Sequence, residues 1–262
     1  MTSAWQYSLS GIGNMEKKIG RLFHRACSEY SLLEDGDRVL VALSGGKDSL
    51  MLVRLLGGQS RIFKPRIEVE AVHVVMDNIP YETDRSYIQG FCEEHGVGLT
   101  ILHSYFDDGS EGSEKGSDAG SLRKRKTKCF LCSWNRRKAI FRHAAEHGFN
   151  KVALGHHQDD ILVTLMMNMF YQGSIQTMPP MLHMRHYSLS VIRPLCLVPE
   201  RLIVEEAATL RFRKQTKTCP YEDVTQRTRV KALFDKLEQD NPEVRYSLWG
   251  SMKNIYPEML VR

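Results

Sequence analysis

Apolar and polar positions along the chain follow two alternating rhythms. Residues 15–30 place Ile19, Leu22, Phe23 and Ala26 on one stripe, which predicts an N-terminal helix. DRVLVAL (37–43) is short, continuous and rich in β-branched residues, as expected of a strand buried on both faces. DSLMLVRLL (48–56) then returns to helical spacing. The exchange repeats: RIEVEAVHVV (66–75) reads as strand, ETDRSYIQGFCEEHG (82–96) as helix, and GLTILHSY (98–105) as strand. WNRRKAIFRHAAEHG (134–148) and DDILVTLMMNMFYQG (159–173) read as helices around the strand NKVALGHH (150–157), and LSVIRPL (189–195) as a fifth strand. Three further helical stretches, 199–212, 221–239 and 242–255, follow.

Strands alternating with helices imply right-handed crossovers, so the expected fold class is α/β with a doubly wound parallel five-stranded sheet. The expected organisation is a helical N-terminal extension (1–32), an α/β domain (33–198) and a C-terminal helical region (199–262). Residues 107–128 break the rhythm, with Ala119 and Leu122 as their only aliphatic members, a Gly/Ser/acidic first half and a basic end. Such a segment buries too little surface to offset the entropy of ordering, and it is expected to be mobile. A solvated loop and a polyanion-binding arm are both open readings.

No apolar run among the 262 residues approaches the roughly 18–20 needed to span a bilayer, and the polar N-terminus does not resemble a secretory signal. The expected location is the cytoplasm, with no membrane partner. A formal charge of +5 permits a polyanionic partner. Six cysteines are too few for a disulfide scaffold in a chain of this length. Cys27, Cys92 and Cys196 stand alone in apolar surroundings and read as core packing. Cys129 and Cys132 form a C-x-x-C, and Cys219 lies far downstream. That spacing is open between a redox pair, half a zinc site and an iron–sulfur site. The neighbouring Lys126, Lys128, Arg136, Arg137, Lys138, Arg213, Lys214 and Lys217 suit RNA phosphates.

The first strand runs straight into Ser44-Gly45-Gly46-Lys47-Asp48-Ser49. Glycines allow close backbone approach and left-handed angles, and the amides of the turn face the positive end of the next helix. With Lys47 added, the turn reads as a phosphate cradle. It is not a Walker A loop, which would need glycine at Val41 and Ser or Thr at Asp48. A carboxylate beside phosphates calls for a bridging cation, so Asp48 is a candidate Mg²⁺ ligand; capping the following helix is its other reading. Gly155, Asp159 and Asp160 follow the fourth strand, hence on the same edge of the sheet, where open α/β sheets bind ligands. Gly155 and Asp159 join the nucleotide-binding set. Asp160 is a second candidate metal or substrate-orienting carboxylate, with helix capping again the alternative. His156 and His157 are placed at the strand end without a catalytic role.

The string SGGKDS resembles the PP-loop of ATP pyrophosphatases, which cleave ATP between its α and β phosphates. With KCFLCSWNRRKAIF, ALGHHQDDILVTLMMNMFYQGSIQTMPPML, VIRPL and NPEVRYSLWGSMKNIYP, the chain from about Leu33 to Tyr256 is similar to the tRNA 2-thiocytidine synthetases. That resemblance implies a dimeric, cytoplasmic sulfurtransferase using ATP and Mg²⁺, with a 4Fe–4S cluster on three cysteines, thiolating a cytidine of the tRNA anticodon loop. It places the nucleotide on Ser44–Ser49, with Lys47, Asp48 and Asp160 catalytic, and the cluster on Cys129, Cys132 and Cys219. The sulfur donor would be a cysteine desulfurase persulfide or hydrosulfide. Two departures stand out: Glu222 occupies the position of a second C-terminal cysteine, and the 107–128 segment is long and polar. A paralogous thiolase, an adenylating ligase or amidotransferase of the same fold, and an iron–sulfur sensor or RNA-binding module without turnover are the competing readings.

Overall fold

The computed structural model describes residues 12–79, 84–105, 128–213 and 226–259. Cys219, Lys126, Lys214, Lys217 and residues 107–127 lie outside the described set. In chain order the elements are α1 (Ile12–Glu29), β1 (Arg38–Ala42), α2 (Lys47–Gln59), β2 (Glu68–Met76), α3 (Arg85–Glu94), β3 (Gly98–Ser104) and α4 (Lys128–Glu146). There follow β4 (Lys151–Ala153), α5 (Gln158–Gln172), β5 (Met181–Met184), β6 (Leu189–Ile192), α6 (Glu200–Thr209), α7 (Gln226–Asp240) and α8 (Val244–Ser251).

The six strands form one sheet in the order β3-β2-β1-β4-β6-β5. The five expected strands are its parallel members, and β5 is an added edge strand running antiparallel to β6. Its pattern is intermediate–exposed–exposed–intermediate, so it has no buried face to announce it as a strand. A second difference concerns α4. The helix starts at Lys128 and not at Trp134, which carries the C-x-x-C into its opening turns.

Successive residues of a strand face opposite sides, and the core divides accordingly. Val39 and Val41 pack with α1, α2, α3 and α6 on one face of the sheet. Leu40, Val72, Val74 and Val152 pack with Ala139, Ile140 and Ala144 of α4 on the other. The strand order reverses between β1 and β4, which lie side by side with Val41 opposite Ala153. Connections leave these two strands in opposite directions, and a crevice opens beyond their carboxyl ends.

Helices α7 and α8 extend the core past the sheet. Leu162, Val163 and Met166 of α5 meet Val230 and Phe234 of α7, with Leu248 and Trp249 of α8 against them. A buried ion pair pins this cluster: Arg245 donates to both oxygens of Asp159, at 2.9 and 3.0 Å, and to Glu238, at 2.7 and 2.8 Å. Burial alone would raise the Asp159 carboxyl, but the hydrogen bonds from Arg245 and from the Glu200 amide, with the Arg245 charge, bring it down to about 2.

Two outcomes follow for stability. Arg245→Ala strands a buried carboxylate and is expected to cost about 3–5 kcal/mol in urea unfolding. A carboxyl depressed in the folded state stabilises above the usual aspartate range and loses that contribution as pH falls. Roughly 2 kcal/mol is therefore expected to disappear between about pH 4 and pH 2. Asp159→Asn should flatten that part of the acid-unfolding curve.

Candidate active site

The crevice is built from two strand-to-helix turns. In the first, Leu43–Gly46 links β1 to α2, and Gly45 takes a φ of +81°, a left-handed angle that suits glycine. Gly46 occupies the cap position of α2, and no side chain caps that helix end. Asp48 therefore does not cap the helix. Instead, Ser44 and Ser49 brace the turn: the Ser44 amide donates to Ser49 Oγ at 3.2 Å, and Ser49 Oγ donates to the Gly46 carbonyl at 2.9 Å. The Gly46 amide donates to Ser44 Oγ at 3.3 Å. An uncapped helix start behind a glycine turn fits a phosphate group.

Lys47 Nζ lies 3.0 Å from Asp48 Oδ1 and 3.0 Å from Glu200 Oε1, the first residue of α6. Burial works against its charge, but these two carboxylates outweigh it and hold the ammonium above its ordinary range. Asp48 and Glu200 both offer carboxylate oxygens, the donor type that Mg²⁺ takes.

The second turn follows β4. A Cβ on Gly155 would sit 3.1 Å from the Asp48 carbonyl carbon and from the Ser49 nitrogen, so glycine lets the two turns touch. His157 and Asp160 form a capping box on α5: the His157 amide donates to Asp160 Oδ2 at 3.0 Å, and the Asp160 amide to His157 Nδ1 at 3.4 Å. His157 Nε2 lies 3.5–3.9 Å from oxygens of Asp160, Glu200 and Asp48. The other Asp160 oxygen pairs with Arg227 of α7. Asp159 is 3% exposed and held by Arg245 and the Glu200 amide, and it forms part of the cavity lining. Lys231 of α7 reaches Asp159 and Glu200 at 3.6 and 3.7 Å. Together His157, Asp160, Glu200, Arg227 and Lys231 line a cavity of about 270 Å³.

His156, next in the chain, is half-buried. Burial, then the charges of Arg193, Arg227 and His157 working against Asp160, push its pKa down to about 4, so the ring is neutral at ordinary pH.

The cysteines separate into two kinds. Burial raises the thiols of Cys27 and Cys196 to about 12 and that of Cys92 to about 11, in keeping with core roles. Cys129 is exposed and Cys132 half-buried, one turn apart at the start of α4. Since α4 runs back antiparallel to the strands, its start lies at the carboxyl edge of the sheet, with Cys132 packed against the cluster that holds Val74 and Met76. Two thiols on one turn of an accessible helix end suit a cluster or a metal.

Comparison with known proteins bears on this arrangement. A PP-loop domain model matches residues 13–237. A tRNA-cytidine(32) 2-sulfurtransferase of Coxiella burnetii is 36% identical over 248 residues, covering 94% of this chain and 93% of that one. The protein of that name from Legionella pneumophila is 35% identical over 253 residues, covering 96% and 86%. The chain belongs to the tRNA-cytidine(32) 2-sulfurtransferase family of PP-loop proteins. In fold it is similar to the U34-tRNA thiolase of Methanococcus maripaludis, solved with its [4Fe-4S] cluster, at a TM-score of 0.71 and 24% identity, covering 94% of this chain and 81% of that one.

The glycine turn lies within the residues that the PP-loop domain model matches. Glu200, Arg227, Lys231 and Arg245 were not among the residues singled out by sequence. Only Glu200 carried a signal, an acidic residue opening the helix after the last strand, on the edge where Lys47 sits.

Gly155→Ala is expected to push the two turns apart. It should weaken ATP binding about tenfold or more by calorimetry, while Gly173→Ala, at the distant end of α5, leaves affinity unchanged.

Proposed function

We propose that the chain is a tRNA sulfurtransferase that activates the C2 carbonyl of an anticodon-loop cytidine with ATP and replaces its oxygen with sulfur. The observation that carries this reading is the shared edge. The PP-loop and the C-x-x-C helix start both open at the carboxyl ends of the parallel strands.

In the first step the cytidine O2 attacks the α-phosphorus, the bond to the bridging oxygen breaks, and pyrophosphate leaves. The uncapped α2 amides and Lys47 neutralise charge on the phosphates, an electrostatic contribution aimed where charge develops. Asp48 and Glu200 are the residues to hold Mg²⁺, which supplies charge neutralisation on the phosphate oxygens. In the second step sulfur adds to C2, and the C2–O bond breaks. AMP departs with the original oxygen, and proton loss leaves the thiocarbonyl. Hydrosulfide serves directly as donor; a persulfide from a desulfurase additionally needs a thiol to release the product. Cys129, Cys132 and Cys219 are the residues to hold a 4Fe–4S cluster, whose fourth iron offers a Lewis-acid site for sulfur. Among the described residues no helix is long and apolar enough to cross a membrane. A cytoplasmic homodimer is part of the same proposal.

Cells lacking the protein are expected to lose 2-thiocytidine from tRNA, read by nucleoside mass spectrometry. Wild-type protein should restore it, and Lys47→Ala should not. Unchanged 2-thiocytidine in the deletion would reject the reading in favour of a ligase or a thiolase for another nucleoside. Cys132→Ser should lower iron and sulfide in anaerobically purified protein while ATP binding persists.

A further inference from the structure

The outer face of α4 carries a feature that the nucleotide chemistry does not use. Trp134 is 55% exposed and Phe130 42% exposed, one turn apart, with ring centroids 6.4 Å apart and planes only 9° from parallel. Phe130 lies within the C-x-x-C and Trp134 just after it, on the same opening turns of the helix. Two large aromatic rings are thus held at the surface on near-parallel planes, and neither is a core residue of this fold. The helix around them is strongly basic. The sequence of α4 holds Lys128, Arg136, Arg137, Lys138 and Arg142 against a single acidic residue, Glu146, which lies at the far end and 3.9 Å from Arg142. Arg137 and Lys138 are exposed.

We infer that this face of α4 is the docking surface for the single-stranded loop of the RNA substrate, with Trp134 and Phe130 as stacking platforms for unpaired bases and Arg137 and Lys138 as phosphate contacts. The inference rests on the proposed function, because it supplies the RNA. Its chemistry is independent of that reading. Unpaired nucleotides present flat π-faces and a phosphate at every step, and proteins hold them by ring stacking beside a basic track. On α4 itself the exposed charges beside the rings, Arg137 and Lys138, are both positive, which suits a polyanion. The platforms also sit beside Cys129 and Cys132, so a stacked loop would present its neighbouring nucleotide at the edge where sulfur is delivered.

The test uses the full-length protein and a fluorescently labelled anticodon stem-loop bearing unmodified cytidine. Trp134→Ala is expected to weaken binding about tenfold by anisotropy, and Trp134→Phe to recover most of the loss. A fully paired hairpin of equal charge should bind wild type and Trp134→Ala alike. Arg137→Ala with Lys138→Ala should lower the slope of log affinity against log salt by about one to two. ATP affinity, iron content and thermal midpoint serve as controls that the exposed substitutions leave the fold intact.

Equal stem-loop affinity in wild type and Trp134→Ala overturns the inference. So does an equal loss for the paired hairpin. Unchanged RNA affinity with lost sulfur transfer from a persulfide-loaded desulfurase would make the face a protein-docking surface, and also overturns it. If wild type binds no stem-loop at all, the proposed function itself fails, which is a separate result.

Discussion

Asp159 sits where α5, α6 and α8 meet. Its two oxygens take the Arg245 guanidinium in a forked pair, and one of them also accepts the Glu200 amide at 2.7 Å. A buried charge is tolerable only with its partners in place, so this carboxylate admits one arrangement of three helices. The consequence reaches the crevice. Glu200 stands at the start of α6 because its amide is captured there, and Arg227 and Lys231 overhang the cavity because α7 is clamped between α5 and α8. Asp159 thus lines the cavity and also sets where its neighbours there stand.

Among the described residues, the cations lining this mouth are all matched. Lys47 is shared by Asp48 and Glu200, Arg227 meets Asp160, and Lys231 meets Asp159, Asp235 and Glu200. Such a lattice keeps charged side chains extended and desolvated before any ligand arrives. A phosphate approaching the glycine turn must trade places with a carboxylate, and a divalent cation is the natural partner for the carboxylate so displaced. The requirement for metal with nucleotide can thus be read from the way the ammonium of Lys47 is held.

The parts of this architecture that sequence made legible are those dictated locally. β1, β2, β3, β4 and β6 declare themselves as runs of β-branched residues, and the glycine turn needs only six adjacent positions. Capping by Asp160 was visible as one of two readings, and the structure shows it capping while its second oxygen binds Arg227. β5 escaped because an edge strand without a buried face has no alternation to read. The start of α4 was misplaced because no breaker separates Lys128 from Trp134, and the cysteines suggested a loop. Arg227, Lys231 and Arg245 could not be found in this way. Their significance lies in pairs 31 to 86 positions apart, and nothing in their own neighbourhood distinguishes them from ordinary surface cations.

The unequal burial of the described cysteines bears on how the molecule ages in air. Thiols shifted to about 11–12 and packed in the core barely ionise, so oxidants and alkylating reagents spend themselves first at the end of α4. Damage there spares the packing that holds the crevice. A preparation left under oxygen is therefore expected still to melt cooperatively, with Cys129 and Cys132 modified ahead of the core thiols.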